Sequence, residues 1–570
     1  MDKATLEVIR GALIYGAEEM GVVLRRAAYS PNIKERVDLS CAIISPWGEA
    51  VAQAEHIPVH LGSLPWGLAR TLEYLERRGE ALESGDVVVV NDPYVSGTHL
   101  PDITAIKPVF AEGELVAYVA DKAHHSDVGG VAPGSLGVDA RQLLEEGLVI
   151  PPVKLVRSGS LDRDLLSLVL SNTRTPRERE GDLRAQLAAL DVGEKRVLEL
   201  VEKYGLKTLL DGMREILDYG ERRMRTRLSA IPSGRYRAED AVELPDGELA
   251  WIRLTLEARG DSLTLDYSGT DSQVSYPINA VFGVTLAASH FAVKSVVDPE
   301  SPLNGGAMRP ISVLAPEGTL VNPVRPAPVA GGNVETSQRI ADVALRALAE
   351  ALPDMVPAAS QGTMNNIAVG GTLEGGAQWT FYETIGGGSG GRPGSDGIDG
   401  VHVNMTNTMN TPIEAVEAQF PILFLRYEFR TDSGGPGKWR GGCGIERSWR
   451  LLGDEAVVSV LGERTLTAPW GLHGGMPGAR AEYLVIRADG REERLPSKVT
   501  VVLRRGDVLV VRTPGGGGYG NPLERDPNAV ARDVVDGLVS PEAAAEHYKV
   551  ALSADGRIDW EQTSELRKGR

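Results

Sequence analysis

Two stretches decide how this chain is read: VVVVNDPYVSGTHLPD at 87–102 and VAYVADKAHHSDVGG at 116–130. Each begins with a short apolar run rich in valine and alanine. Such runs are too brief for a helix and suit buried strands, and each gives way to Asn, Asp, Pro or Gly, which end strands. Two strand ends then deliver His99, Asp102 and His124 to one place. Two imidazoles and a carboxylate leave coordination positions open on a divalent ion, as a catalytic metal requires. Such a donor set, lacking thiolate, suits Zn, Mn or Fe. The ion would polarise a carbonyl or phosphoryl oxygen or acidify a water. Pro93 and Pro101 stiffen the intervening loop. Spacing alone leaves a second reading open, in which these histidines are hydrogen-bonded turn and core residues.

Outward from this centre the pattern alternates between strand-rich and helical stretches. Residues 4–28 carry Leu6, Ile9, Leu13, Ala17 and Leu24 at helical spacing. Residues 37–160 read as strands and long loops, and 161–228 as a helical segment with few breakers. Residues 235–270 alternate as a hairpin does. Helices are expected near 280–297 and 336–352, the second capped by Thr336, and strands with glycine turns from 376 to 520. A short helix near 540–550 precedes a polar, loosely held tail. The class is α+β: multi-layered, with mixed sheets, long Gly/Pro-rich loops and flanking helices. The expected units are an α/β unit at 1–230 carrying the His/Asp cluster, a central α+β unit at 231–375, a β-rich, Gly-rich unit at 376–525 and a C-terminal helical tail at 526–570. At 570 residues the chain is long for one domain.

Composition narrows the function classes. The net charge of −18 argues against nucleic acid or an anionic membrane as partner, since phosphates reward the opposite sign. With 5% aromatics, a stacking surface for single strands is not expected. The two cysteines, Cys41 and Cys443, cannot build a disulfide framework. The first fifteen residues lack a signal-peptide pattern and no run approaches membrane-spanning length, so the expected location is the cytoplasm.

Five of the nine histidines fall in 56–125. His56 and His60 are ligand-spaced for a helix, but Pro58 between them argues against a helix interior, leaving them as supports for the ligands. Asp127 or His125 is a candidate general base, or else holds the ligands in place. Arg36 offers a bidentate clamp for phosphate, or an ordinary ion pair with Asp38. Gly386–Gly391 and Gly515–Gly520 match a dinucleotide-binding spacing without the helix that motif needs. Gly387, Gly388 and Ser389 remain candidates for a backbone nest holding an anion, with a tight structural turn as the alternative. No phosphate-loop pattern is present.

The segments ERVDLSCAI (35–43), QAEHIPVHLGSLP (53–65), GDVVVVNDPYVSGTHLPDI (85–103), HHSDVGGVAPGS (124–135), YETIGGGSGGRPGSDGIDGVHVNMTNTMNTPIEAVE (382–417) and TPGGGGYGNP (513–522) together resemble the hydantoinase B/oxoprolinase family. That family includes hydantoinase B subunits, the C-terminal half of fused 5-oxoprolinases and acetone carboxylase alpha subunits. The resemblance implies a two-subunit enzyme. A hydantoinase A-like partner holds ATP and phosphorylates the carbonyl oxygen of a small cyclic amide, and the subunit like this one bears a metal and completes hydrolysis. In the carboxylase relatives the metal ligands are a His, an Asp three residues on and a His twenty-two further; His99, Asp102 and His124 match that spacing. Two other readings stand beside this one: the alpha subunit of an ATP-dependent ketone carboxylase, for which the chain is short, and a non-catalytic scaffold for the ATP-binding subunit.

Overall fold

The computed structural model describes residues 2–301, 303–553 and 556–568. Its architecture is α+β. Leu39–Ile44 (β1), Ala50–Gln53 (β2), Val87–Val90 (β3), Asp102–Ala111 (β4), Glu114–His124 (β5), Val153–Arg157 (β6) and Ser160–Leu161 (β7) form one sheet, in the order β2-β1-β5-β4-β3-β6-β7. Because successive side chains on a strand point to opposite faces, this sheet has two distinct surfaces. Cys41, Ile43 and Val119 lie in the core shared with the helices Lys3–Ala27 and Pro176–Tyr204. Ala42, Ile44 and Ala120 instead pack with Leu64 and Leu68 of the helix Pro58–Arg77. In the pairing of β4 with β5, Asp102 lies directly opposite His124. Residues far apart along the chain thereby become nearest neighbours on one face.

Gly234–Glu243 (β8), Leu249–Arg259 (β9), Ser262–Asp266 (β10) and Ile311–Leu314 (β11) form the second sheet, ordered β11-β10-β9-β8. The hairpin expected at 235–270 is therefore three strands, and β11 adds alongside β10 in parallel. Asn366–Thr372 (β12), Gln378–Glu383 (β13), Ile422–Phe429 (β14), Ile445–Leu451 (β15), Glu455–Leu461 (β16), Glu482–Ile486 (β17), Glu492–Leu495 (β18), Lys498–Arg504 (β19) and Val508–Arg512 (β20) divide between two more sheets. Their orders are β13-β12-β16-β19 and β14-β15-β20-β17-β18. Val458 and Leu503 of one sheet share a core with Trp449, Tyr483 and Val511 of the other, so the two face each other as a sandwich. One continuous core runs from Ile9 to Met405, and the expected boundary at 230/231 lies inside it.

The helical stretch 161–228 is three helices, Arg163–Leu170, Pro176–Tyr204 and Leu206–Leu228, broken before Pro176 and at Gly205. Thr336 does not cap the helix Ser337–Ala351. Its own backbone is helical, inside a π-turn over Gly332–Thr336, and its hydroxyl donates to the Ile278 carbonyl. The tail is held as well: Val530, Val539, Ala544, Tyr548 and Val550 make a small core, and the Ala551 N–H donates to Thr563 Oγ1 at 3.0 Å.

The glycine-rich segments 386–391, 434–444, 471–478 and 514–520 run side by side, joined backbone to backbone. Gly391 N–H donates to Gly517 O (2.9 Å), Gly442 to Ser389 O (2.8 Å) and Gly516 to Gly442 O (2.9 Å). A Cβ on Gly388 would sit 1.9 Å from Gly442 O, and one on Gly516 1.9 Å from Ser389 O. Close approach of main chains, not an unusual dihedral, is what demands glycine here.

Candidate metal centre

His99 ends the loop before β4, Asp102 opens β4, and His124 closes β5. His99 Nε2 lies 3.0 Å from Asp102 Oδ1 and 3.1 Å from His124 Nδ1, and His124 Nδ1 lies 3.1 Å from the same Asp102 oxygen. All three residues are buried. The Ala330 carbonyl, 2.9 Å from His99 Nδ1, can only accept, which fixes the proton of a neutral His99 on Nδ1. Its Nε2 lone pair then faces a carboxylate oxygen at hydrogen-bond distance. A single proton on His124 Nδ1 must serve both acceptors, whereas a divalent cation satisfies all three donors at once. The residues fit a metal. Burial alone would raise the Asp102 carboxyl, but His99, His60 and His124 around it outweigh burial and hold it well below the usual carboxylate range. Burial lowers His124, partly offset by Asp102. Ionised carboxylate and neutral imidazole are the ligand forms a cation needs.

Of the two histidines expected to support the ligands, His60 lies against Asp102 and His56 does not. Pro58 does not exclude a helix; it begins one, at the first position where its missing N–H costs nothing. His60 then lies in the first turn, over the same sheet face, with Nε2 3.2 Å from Asp102 Oδ2 and 4.0 Å from Asp38 Oδ1. His56 faces elsewhere, its Nδ1 accepting from the Cys41 N–H at 3.3 Å. Asn333, in the π-turn, donates to Asp102 Oδ2 at 3.3 Å. Residues 330–333 therefore brace two of the three candidate ligands. Tyr382 stacks on His124 with centroids 4.6 Å apart and donates its hydroxyl to Asn366. Lys122 also went unnoticed in the sequence. Its buried ammonium donates to Ser63 Oγ, Ser96 O and Thr98 Oγ1, pinning the loop that carries His99. Burial pushes it down to about 7.

The other sequence candidates divide. Asp38 presents a carboxylate that no hydrogen bond reaches among the described residues, with Arg36 at 3.8 Å. Arg36 is fully buried and stacks over the Tyr382 ring, donating to Asn32, the Tyr382 carbonyl, Thr384 and Thr408. That leaves its Nε alone without a partner, so no free fork remains for bidentate phosphate. His125 follows His124 on the chain and so points to the opposite face, where its Nε2 meets Gln186 Oε1 at 2.9 Å. Burial pushes it down to about 4. Asp127 accepts from the backbone N–H groups of Gly129, Gly134 and Arg174 and pairs with the Arg174 guanidinium at 2.8 Å. Neither residue joins the three-ligand group. The nest does not form either: the N–H groups of Gly387, Gly388 and Ser389 donate to Val401, Pro514 and Ile398 carbonyls, leaving none for an anion.

A family model described as hydantoinase B/oxoprolinase matches residues 2–522. An uncharacterised protein of Methanocaldococcus jannaschii is 50% identical over the full length of both chains. A protein of Pseudomonas sp. (strain NS671), named as the putative B component of a D-/L-hydantoinase, is 36% identical over 100% of this chain and 98% of its own. The crystal structure of the ATP-dependent caprolactamase from Pseudomonas jessenii superposes with a TM-score of 0.92 at 31% identity, covering all of both chains. The chain belongs to the hydantoinase B/oxoprolinase family.

Proposed function

We propose that this chain is the metal-bearing subunit of an ATP-dependent cyclic amide hydrolase of the hydantoinase/5-oxoprolinase type. It acts on a carbonyl-phosphorylated lactam made by a hydantoinase A-like, ATP-binding partner in a cytoplasmic hetero-oligomer. One observation carries the reading: the buried triangle of His99 Nε2, His124 Nδ1 and Asp102 Oδ1, with edges of 3.0–3.1 Å and, with both imidazoles neutral, one proton to share. A divalent Zn, Mn or Fe held there would supply Lewis acidity towards substrate oxygens. The chain's own groups do the rest. His60 and Asn333 orient the Asp102 carboxylate, and Ala330 sets the His99 tautomer. Asp38, next to His60 and without a hydrogen-bond partner, is the group placed to accept the proton of an attacking water. Arg36 contributes positive charge beside Asp38 instead of a clamp. Asp127 and His125 support the loop and sheet instead of the reaction.

The test is a screen of 5-oxoproline, hydantoins and larger lactams with ATP, using this chain co-purified with its ATP-binding partner. ATP-dependent ring opening is expected. His99→Ala combined with Asp102→Asn should lose metal and turnover while the partner keeps part of its ATP hydrolysis. Undiminished ring opening by that double variant would overturn the assignment. Bicarbonate-dependent ketone consumption would move it to the carboxylases, and full activity without stoichiometric metal would make this chain a scaffold.

A further inference from the structure

The carbonyl that fixes the His99 proton sits on a stretch that cannot hold itself in place. Residues 327–331 lead into the π-turn and are buried. Buried backbone outside regular structure must find a partner for each N–H and C=O. Here the partners come from distant parts of the chain. The Ala327 carbonyl accepts from the Tyr94 hydroxyl (2.8 Å), the Pro328 carbonyl accepts from Asn279 Nδ2 (2.9 Å), and the Gly331 N–H donates to the Pro277 carbonyl. The N–H groups of Val329 and Ala330 both donate to a single atom, Glu146 Oε1, at 2.7 and 2.9 Å.

Glu146 closes the short helix Leu143–Glu146 and is buried, and its second oxygen, Oε2, has no hydrogen-bond partner. Burying a carboxyl costs free energy that a half-satisfied group does not recover by itself. What it holds is the approach to His99. Peptide units are planar, so fixing the Ala330 and Gly331 N–H groups fixes the planes on both sides of the Ala330 Cα. The direction of the Ala330 carbonyl, 2.9 Å from His99 Nδ1, follows from those planes. We infer that Glu146 is a positioning residue for the metal centre: through Ala330 it holds His99 in the tautomer that leaves Nε2 free for a cation. This role rests on the metal reading of His99, Asp102 and His124. Burial pushes the Glu146 carboxyl from 4.5 up to about 8, so near neutral pH it is an uncharged acceptor, which glutamine reproduces.

Two measurements on the full-length chain test this, one of them without metal. In metal-free protein carrying isotopically labelled histidine, NMR should find the His99 proton fixed on Nδ1, the signal being identified by its loss in His99→Ala. Glu146→Ala should turn it into a mixture of tautomers. Titration with zinc should show affinity falling roughly 10- to 100-fold in Glu146→Ala and staying close to wild type in Glu146→Gln. Should the alanine variant fail to fold, Glu146→Asp carries the same test. Its carboxyl stops one methylene short of the two N–H groups and should weaken zinc binding about tenfold. A folded alanine or aspartate variant with wild-type zinc affinity and an unchanged His99 tautomer would overturn the role of Glu146 alone. So would a glutamine variant as impaired as alanine. A wild type that binds no zinc would overturn the metal reading and this role together.

Discussion

Replacing Glu335 by glutamine probes the buried polar scaffold behind the metal centre. Glu335 is fully buried in the π-turn, with Oε1 accepting from the Met364 N–H (3.0 Å) and Asn366 Nδ2 (2.6 Å). Asn366 in turn takes the hydroxyl of the tyrosine stacked on His124. Glu335 Oε2 has no partner. Burial first, and then the neighbouring Glu463 carboxylate, push Glu335 from 4.5 up to about 8. A carboxyl raised in this way holds its proton only in the folded state between those two values. Its contribution to stability is therefore fully present below pH 4.5 and lost as pH rises to about 8. At about 1.4 kcal/mol per pH unit, the loss reaches roughly 5 kcal/mol as an upper bound. An unfolding entropy of about 2.1 cal/mol/K per residue gives about 1.2 kcal/mol/K for this chain, so the effect on Tm is about 4 °C. Glutamine keeps the acceptor at Oε1 and cannot ionise. Scanning calorimetry of both proteins from pH 5 to pH 9 should show Glu335→Gln gaining about 4 °C on the wild type by pH 8, with the gap nearly constant beyond. Parallel Tm curves over the whole range would refute the reasoning.

Three further outcomes follow from the geometry. His60→Ala, which removes the 3.2 Å contact to Asp102 Oδ2, should leave the fold intact and weaken metal affinity roughly 10- to 100-fold by titration; His99→Ala should lose metal outright. Asp127→Ala strands three backbone N–H groups and Arg174, so a loss of about 3 kcal/mol or more in denaturant unfolding is expected, with metal content unchanged. Loss of activity with unchanged stability would instead put Asp127 in the chemistry. Gly516→Ala forces a Cβ to 1.9 Å from Ser389 O and should abolish soluble expression, whereas Gly11→Ala, with nothing within 4 Å in an exposed helix turn, should be neutral or gain up to about 1 kcal/mol.

The grouping of His99, Asp102 and His124 was legible because each follows a short apolar run at a distance a strand-end loop can span. β-sheet register then does the rest, pairing Asp102 with His124. His60 was legible as a support, but the helix that carries it was not: proline breaks a helix interior yet suits its first turn, and nothing local says which holds until the helix packs on the sheet. Ala330 and Asn333 could not be found at all, since they reach the site from 231 residues away, on and just before a π-turn that leaves no hydrophobic period. Gly387–Ser389 looked like an anion cradle because a glycine run advertises bare N–H groups. What occupies them arrives from Ile398, Val401 and Pro514, and no local pattern encodes that. The helix at 337–351, by contrast, carries its own apolar periodicity, and the one at 282–297 is apolar on most sides; both were read within a few residues.

The glycine bundle also bears on how this end of the protein comes apart. Ser389 is tied to segments on two sides: its carbonyl accepts from Gly442, and its N–H donates to Ile398. Gly516 likewise donates to Gly442 while accepting from Gly435. Because these segments are bonded on more than one side, pulling one out severs the lattice in several directions together. Peeling from an edge, the usual route by which a flat sheet loosens, is closed to it. Breakdown there must be concerted, and amide hydrogens from quite different stretches of sequence should exchange as one group.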